Sequence, residues 1–399
     1  MRVCYDAIVA RIYCSDDEEC HVHVQHVHDM LAETRASVRN AGWLFVQHGG
    51  QVVSGVLFTL LIPRSMGLTS WGQYALISSL ALWFIVGTRL GMSQVLGRYV
   101  PIVDGGQPLA ELFGRLLTLQ LAVSTGAALL FWFVTRRWLT EIDVRALTLM
   151  ALTVIVRGVS GLFASLQHGL NRSARWGMSQ FLRGWLTLGG LALGYSLAAL
   201  PGATAGLLMA ELLVLGVNLR WAWPHVGWPR PRLDLALLRP YLSLALVFAA
   251  AELVATSARH SGETILRLLQ LPYDSIGHFG LALNIASMGT QALSQVVQSF
   301  LPLSVKITQT QDLERLSALL RAMLRPLTAL AMWVAYAALL LGPVLIPAAL
   351  GPGFEPVAVY LVPLVLLLVA TPLGSAGRLL SIVSDRPRVA LYADLVQLG

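Results

Sequence analysis

Charge is what this sequence has least of. Only 12% of its 399 residues are Asp, Glu, Lys or Arg, about half of the ~25% in an ordinary soluble domain. With 56% hydrophobic residues and a mean hydropathy of +0.67, the chain cannot cover its apolar surface with polar groups. That excludes a soluble globular protein and places the chain in a bilayer. Lysine is almost missing, since Lys306 is the single lysine among 28 basic residues. The net charge of +7 rests on arginines in short loops between apolar spans. Such placement is a topology signal, and no nucleic-acid partner is expected. Cysteine is confined to Cys4, Cys14 and Cys20, beside His21, His23, His26 and His28, in a polar stretch of the first forty residues. These lack the paired Cys-x2-Cys spacing of a tetrahedral zinc site, so no metal is expected. No apolar run follows the start, which excludes a cleavable signal peptide. Met30 opens a natural lead-in to a first membrane helix, and translation from Met30 is expected to give an active protein. Enzyme motifs are absent too. There is no Gly-Lys-Ser/Thr phosphate loop, no His-Glu-x-x-His and no Gly-x-Ser-x-Gly elbow, so neither catalytic residues nor a cofactor are expected.

What the chain does have is apolar spans of bilayer length. They fall near residues 43–62, 74–96, 112–134, 147–168, 179–200, 203–222, 241–258, 276–302, 325–342 and 357–376, and an eleventh begins near Val389. Placing the N-terminus in the cytoplasm puts 18 basic residues on the inside and 6 on the outside, and the excess of inside charge sets that orientation. A short pattern also occurs twice. Trp71-Gly72-Gln73-Tyr74-Ala75-Leu76 is echoed by Ile276-Gly277-His278-Phe279-Gly280-Leu281, with Gly277 standing 205 residues after Gly72. The stretch from Ser93 to Pro101 is echoed by that from Ser294 to Pro302, 201 residues later. Two matches in order at nearly equal offsets indicate a duplicated helix bundle. The expected architecture is an all-α polytopic membrane protein of two six-helix lobes related by a parallel repeat. Residues 1–40 are a polar extension, 41–222 the first lobe, 223–240 a cytoplasmic linker and 241–399 a second lobe that breaks off early. Gly190, Gly194, Ala198, Gly202 and Gly206 would let two helices approach closely.

Ionisable residues inside apolar spans are costly and mark a cavity or a partner. Arg157 and Glu211 lie at the middle of their spans, Arg89 nearer the cytoplasmic end of its own, and Glu252 inside span 7. Arg259, Glu263 and Arg267 follow at i, i+4, i+8 on one helical face. Arg157 and Glu211 could simply pair. Alternatively, arginines line a cavity and grip an anionic head group, because guanidinium meets phosphate with two parallel hydrogen bonds. Glu211, Glu252 and Glu263 are then the ion-coupling or ion-pairing carboxylates, and His48 is a further titratable group.

From Trp43 to Pro101 the chain resembles the bacterial polysaccharide flippases of the multidrug/oligosaccharidyl-lipid/polysaccharide exporter superfamily. The resemblance is carried by Leu61-Ile62-Pro63-Arg64-Ser65-Met66-Gly67-Leu68, Trp71-Gly72-Gln73-Tyr74, Leu90-Gly91-Met92 and Arg98-Tyr99. It implies two lobes around a V-shaped cavity that opens alternately to either side of the bacterial inner membrane. It implies a polyprenyl-pyrophosphate-linked oligosaccharide as substrate, for lipopolysaccharide and O-antigen assembly. H+ or Na+ would be the coupling ion, and polymerase or export proteins would be neighbours. The cavity arginines that contact the lipid pyrophosphate would then be Arg89, Arg157 and Arg259. A multidrug–cation antiporter of the same superfamily is the alternative, with an acidic, aromatic cavity. A membrane glycosyltransferase or polymerase is disfavoured by the short outer loops, and a non-transporting scaffold remains a third reading.

Overall fold

The computed structural model of the protein describes residues 47, 49–92, 96, 100, 107–170, 172–227, 235–299, 304 and 313–383. Among these there is no strand, and nearly all are helical. The helices are α1 (49–66), α2 (Leu68–Arg89), α3 (Gln107–Trp138), α4 (Val144–Gly169), α5 (Ser173–Val226), α6 (Leu235–Leu268), α7 (Tyr273–Ser299), α8 (Leu313–Leu350) and α9 (Pro356–Val383). By length and composition α3, α4, α5, α8 and α9 can each cross a membrane. Their outward faces carry large apolar side chains open to the surroundings, such as Leu197, which is 85% exposed, and Trp333 and Leu366. Water would penalise such a surface, whereas lipid tails do not.

The ten expected spans map onto these helices, with two adjustments. Span 74–96 does not continue as one helix, because Leu90 (φ 44°) and Gly91 (φ 64°) turn left-handed and end α2 at Arg89. Spans 179–200 and 203–222 are the two arms of α5. The helix breaks at Ala198 and Ala199, where Ala199 takes φ 47°, and Pro201 then sits in the first turn of the second arm, where a missing N–H costs nothing. The arms fold back on each other as the small residues foretold. A Cβ on Gly190 would meet the carbonyl of Gly206, and one on Gly194 that of Gly202. The eleventh span, Met30, the cysteine–histidine cluster, His48 and Lys306 lie outside the described residues. The linker expected over 223–240 is helical to Val226 and again from Leu235.

Helix α2 occupies the centre, packing on α3 and α4 on one side and on α6 and α7 on the other. Its crossing with α7 falls on the repeated motif. A Cβ on Gly72 would run into the Tyr273 carbonyl, and one on Gly277 would sit 2.7 Å from the Leu68 carbonyl. Trp71 Nε1 donates to the Gly277 carbonyl at 3.1 Å. Thr69 Oγ1 donates to Asp274 Oδ1 at 2.6 Å, and those two residues are again 205 apart. Equivalent positions of the repeat therefore meet each other, as a two-fold relation between α2 and α7 requires. The same end of the bundle holds other ties. Tyr195 bonds the Met66 carbonyl at 2.9 Å, His278 the Gly353 carbonyl at 2.8 Å, and Arg267 reaches Glu141 at 3.0 Å while lying over the Tyr273 ring. This end, where α1 meets α2, is closed.

Candidate substrate-binding site

Directly beneath that crossing lies a chamber of about 280 Å³. Trp71 forms part of its wall, and it follows α2 as far as Ile85, one turn short of Arg89. Phe58 of α1, Thr153 and Arg157 of α4, Leu207 of α5, His260 and Glu263 of α6, and Asn284 and Ser287 of α7 complete the lining. Both sets of helices, α1–α5 and α6–α7, thus contribute to it. Phe58, Trp71 and Tyr74 make a continuous aromatic wall, with centroids 5.8 and 5.6 Å apart along the series. That geometry suits edge-to-face and tilted ring pairs.

The charges divide into three groups. The first is buried in the α4–α5 layer. Glu211, 1% exposed, receives a hydrogen bond from Arg183 Nε at 3.2 Å on Oε2, and Arg157 Nε stands 3.4 Å from its Oε1. The two contacts are unequal. Arg183 is aligned as a donor and also bonds Gln180 Oε1 at 2.9 Å and Ser160 Oγ at 3.2 Å. Arg157 Nε, although within ion-pair distance, is not aligned to donate to the carboxylate. Arg183 therefore neutralises Glu211, and Arg157 is a surplus cation whose side chain is 29% exposed and lines the chamber. A buried carboxylate shared by two arginines leaves one net positive charge, and the geometry presents it to the cavity.

The second group is Glu263, 4% exposed, on the chamber wall opposite α4. Its Oε2 has no hydrogen-bond partner among the described residues. The third is the pair Arg89–Glu252, 3.1 Å apart and joining α2 to α6. Both of its side chains are about one-third exposed, 36% and 30%, so the pair is open to its surroundings beyond the end of the chamber away from the crossing.

Among the residues expected to form a site, Arg157 and Glu263 thus meet in one chamber, and Glu211 stands behind Arg157 as its anchor. Arg89 and Glu252 pair with each other beyond it. The side chain of Arg259 lies outside the described residues. The expected face of Arg259, Glu263 and Arg267 is split, with Glu263 turned inward and Arg267 held at the closed end by Glu141. Arg183 falls within the expected span 179–200 but counts with Arg172 and Arg175 among the inside charges. The structure instead places it ten residues inside α5, and Gln180 one turn earlier is the signal that could have revealed it. His260, Asn284 and Ser287 are further lining residues with no signature in the sequence. No group of three or more metal-binding side chains occurs among the described residues.

Among the described residues five helices are long and apolar enough to cross a membrane, which marks a multi-pass membrane protein. A family described as "Polysaccharide biosynthesis protein" matches residues 37–308, and the chain belongs to that family. Its fold is that of the MOP superfamily. A multidrug resistance MATE family transporter in an inward-facing conformation superposes with a TM-score of 0.68 at 13% identity, covering 88% of this chain and 84% of that one. An outward-facing structure of such a transporter gives 0.60 at 12% identity, over 89% and 84%. A MOP superfamily transporter from Pyrococcus furiosus Vc1 gives 0.53 at 12% identity, over 90% and 84%. No curated protein matches the sequence. The family is thus that of polysaccharide biosynthesis proteins, and the fold resembles that of solved membrane transporters.

Proposed function

We propose that this protein moves a polyprenyl-pyrophosphate-linked oligosaccharide across the bacterial inner membrane by alternating access, for cell-surface polysaccharide assembly such as lipopolysaccharide O-antigen. The observation that carries the reading is Arg157, a cation left over from the Glu211–Arg183 pair and turned into a chamber between the two helix sets. A guanidinium there suits a phosphate oxygen. The lipid tail stays in the bilayer beside the bundle. Residues 41–222 and 241–399 act as two lobes, and the crossing of α2 and α7 is the seal that opens when they rock. Arg89 guides the pyrophosphate toward the chamber from its cytoplasmic mouth, and Arg259 is a further contact for the pyrophosphate. Glu263 is the coupling carboxylate, with Arg157 of α4 and Tyr74 of α2 across the chamber and His260 one turn earlier on its own helix. When ionised it accepts from the substrate. When protonated from outside it releases the substrate and resets the lobes, while Glu252 holds Arg89 between cycles. A membrane position with the N-terminus in the cytoplasm follows from the loop arginines.

A second reading has its own support. Glu263 beside the aromatic wall of Phe58, Trp71 and Tyr74 is what a cation exporter would use. One experiment separates the two. In proteoliposomes, a fluorescent polyprenyl-pyrophosphate oligosaccharide is followed by its access to an impermeant sugar-modifying enzyme, and a lipophilic cationic dye is followed in parallel. Transfer of the glycan lipid, accelerated by an imposed gradient and made gradient-independent by Glu263→Gln, supports the flippase. Movement of the dye alone establishes the antiporter.

A further inference from the structure

The chamber's hydrogen-bonding chemistry is lopsided. Besides the Tyr74 phenol, four aliphatic hydroxyls line it, and each of these four gives its hydrogen to a carbonyl of its own helix. Ser78 bonds Ala75 at 3.0 Å, Ser79 bonds Leu76 at 3.1 Å, Thr153 bonds Leu149 at 2.9 Å and Ser287 bonds Asn284 at 2.8 Å. A hydroxyl so engaged has only lone pairs left to offer. Asn284 donates one amide hydrogen to Thr59 Oγ1 at 3.4 Å, which leaves its carbonyl oxygen and its second N–H to offer. Glu263 adds Oε2, buried and without a partner. An unmet acceptor of that kind costs about 1–3 kcal/mol unless something donates to it. Against this row of acceptors stands the strong donor Arg157.

The complementary ligand is rich in donors, carries an anionic group at one end, and has an apolar face to lay against Trp71 and Tyr74. A sugar attached through phosphate has all three properties. Its hydroxyls donate, its ring C–H face is apolar, and its phosphate is anionic. The chamber, about 280 Å³ and open on one side, sits just below the ~300 Å³ lower end of drug-sized sites, so it holds about one sugar while a longer glycan extends out of it. We infer that the chamber is a monosaccharide subsite that reads the sugar next to the pyrophosphate through Ser78, Asn284, Ser287 and Glu263. Further sugars lie at the mouth, toward Arg89 and Glu252, and are not read. The inference rests on the flippase reading and sharpens it: head groups are selected by their first sugar and not by length.

The test is a binding series on the full chain in detergent, using farnesyl pyrophosphate, the same lipid carrying one hexose, and the same lipid carrying a trisaccharide. The first sugar is expected to tighten binding by about tenfold or more, since a site built for hydroxyls discriminates against ligands lacking them. The next two are expected to change it less than about twofold. Ser78→Ala with Ser287→Ala should erase the first-sugar increment while farnesyl pyrophosphate binds as before, which also verifies that the variant is folded. Equal binding with and without the sugar overturns the subsite but leaves an anionic-lipid transporter standing. An increment that grows with each sugar, or that survives in the double variant, also overturns it. Failure of all three lipids to bind overturns both the subsite and the flippase reading.

Discussion

At the scale of single residues, Glu211 is the side chain on which the site's electrostatics turn. Removing it alone would leave Arg183 charged and buried with no counter-ion, a situation that costs about 3–5 kcal/mol. Glu211→Ala is therefore expected to lower the thermal unfolding temperature in detergent sharply. Replacing both partners, Glu211→Leu with Arg183→Leu, is expected to restore most of the loss, because an apolar pair of similar size carries no desolvation penalty. A Glu211→Ala protein as stable as wild type would mean that water reaches this layer. The prospect of an Arg157–Glu211 pair was legible because each stands alone in an apolar run. Arg183 was not, because it stands near the start of the expected span 179–200, close behind Arg172 and Arg175, and counts with them among the inside charges. The first arm of α5 starts at Ser173, so it is long enough to carry Arg183 inside. The chamber's serines and Asn284 were illegible for another reason. Such residues in membrane helices serve packing as often as binding, and only the three-dimensional arrangement shows which.

At the scale of elements, the contact between α2 and α7 depends on two glycines. Gly72→Ala is expected to force the helices apart, since the new Cβ would overlap the Tyr273 backbone. The helices cannot repack around a backbone atom, so the cost should exceed the ~1–3 kcal/mol of ordinary overpacking. Gly87→Ala on the same helix meets nothing closer than Leu253 Cδ2 at 3.9 Å and should be silent. Size-exclusion profiles and unfolding temperatures of the two variants provide the comparison, and equal behaviour would contradict the crossing. The repeat itself was visible in sequence through Gly72 and Gly277. That the two copies touch was not, because a repeat establishes equivalence and says nothing of where its axis passes. The α5 hairpin was easier, because glycines at four-residue spacing on either side of Ala198 can face only each other when the chain reverses there. The break at Leu90 went unseen, since apolar residues continue on both sides and hydropathy does not register a left-handed turn.

At the scale of the whole molecule, the closed end is held by contacts that must part for the lobes to rock. Thr69 and Asp274 are in hydrogen-bond contact there. The double variant Thr69→Cys, Asp274→Cys, in a background with Cys4, Cys14 and Cys20 replaced, is expected to cross-link under oxidant and to stop transport, with activity returning on reduction. Continued transport by the cross-linked protein would show that this end does not open. In the pair Arg267–Glu141 only Glu141 is well exposed, and Arg267 also lies over the Tyr273 ring, so Arg267→Gln is expected to lower stability modestly, by about 1 kcal/mol.

The central claim is that Arg157, the less engaged of the two arginines that share Glu211, receives the substrate's phosphate. It is tested most directly by initial rates of glycan-lipid translocation in proteoliposomes for wild type, Arg157→Lys and Arg157→Ala, at matched reconstitution. The account predicts that Arg157→Ala falls by about tenfold or more, the loss of a charge-assisted hydrogen bond of roughly 1.5–3 kcal/mol. Arg157→Lys, which keeps the charge without the fork, should retain an intermediate rate. Wild-type rates in Arg157→Ala would contradict it.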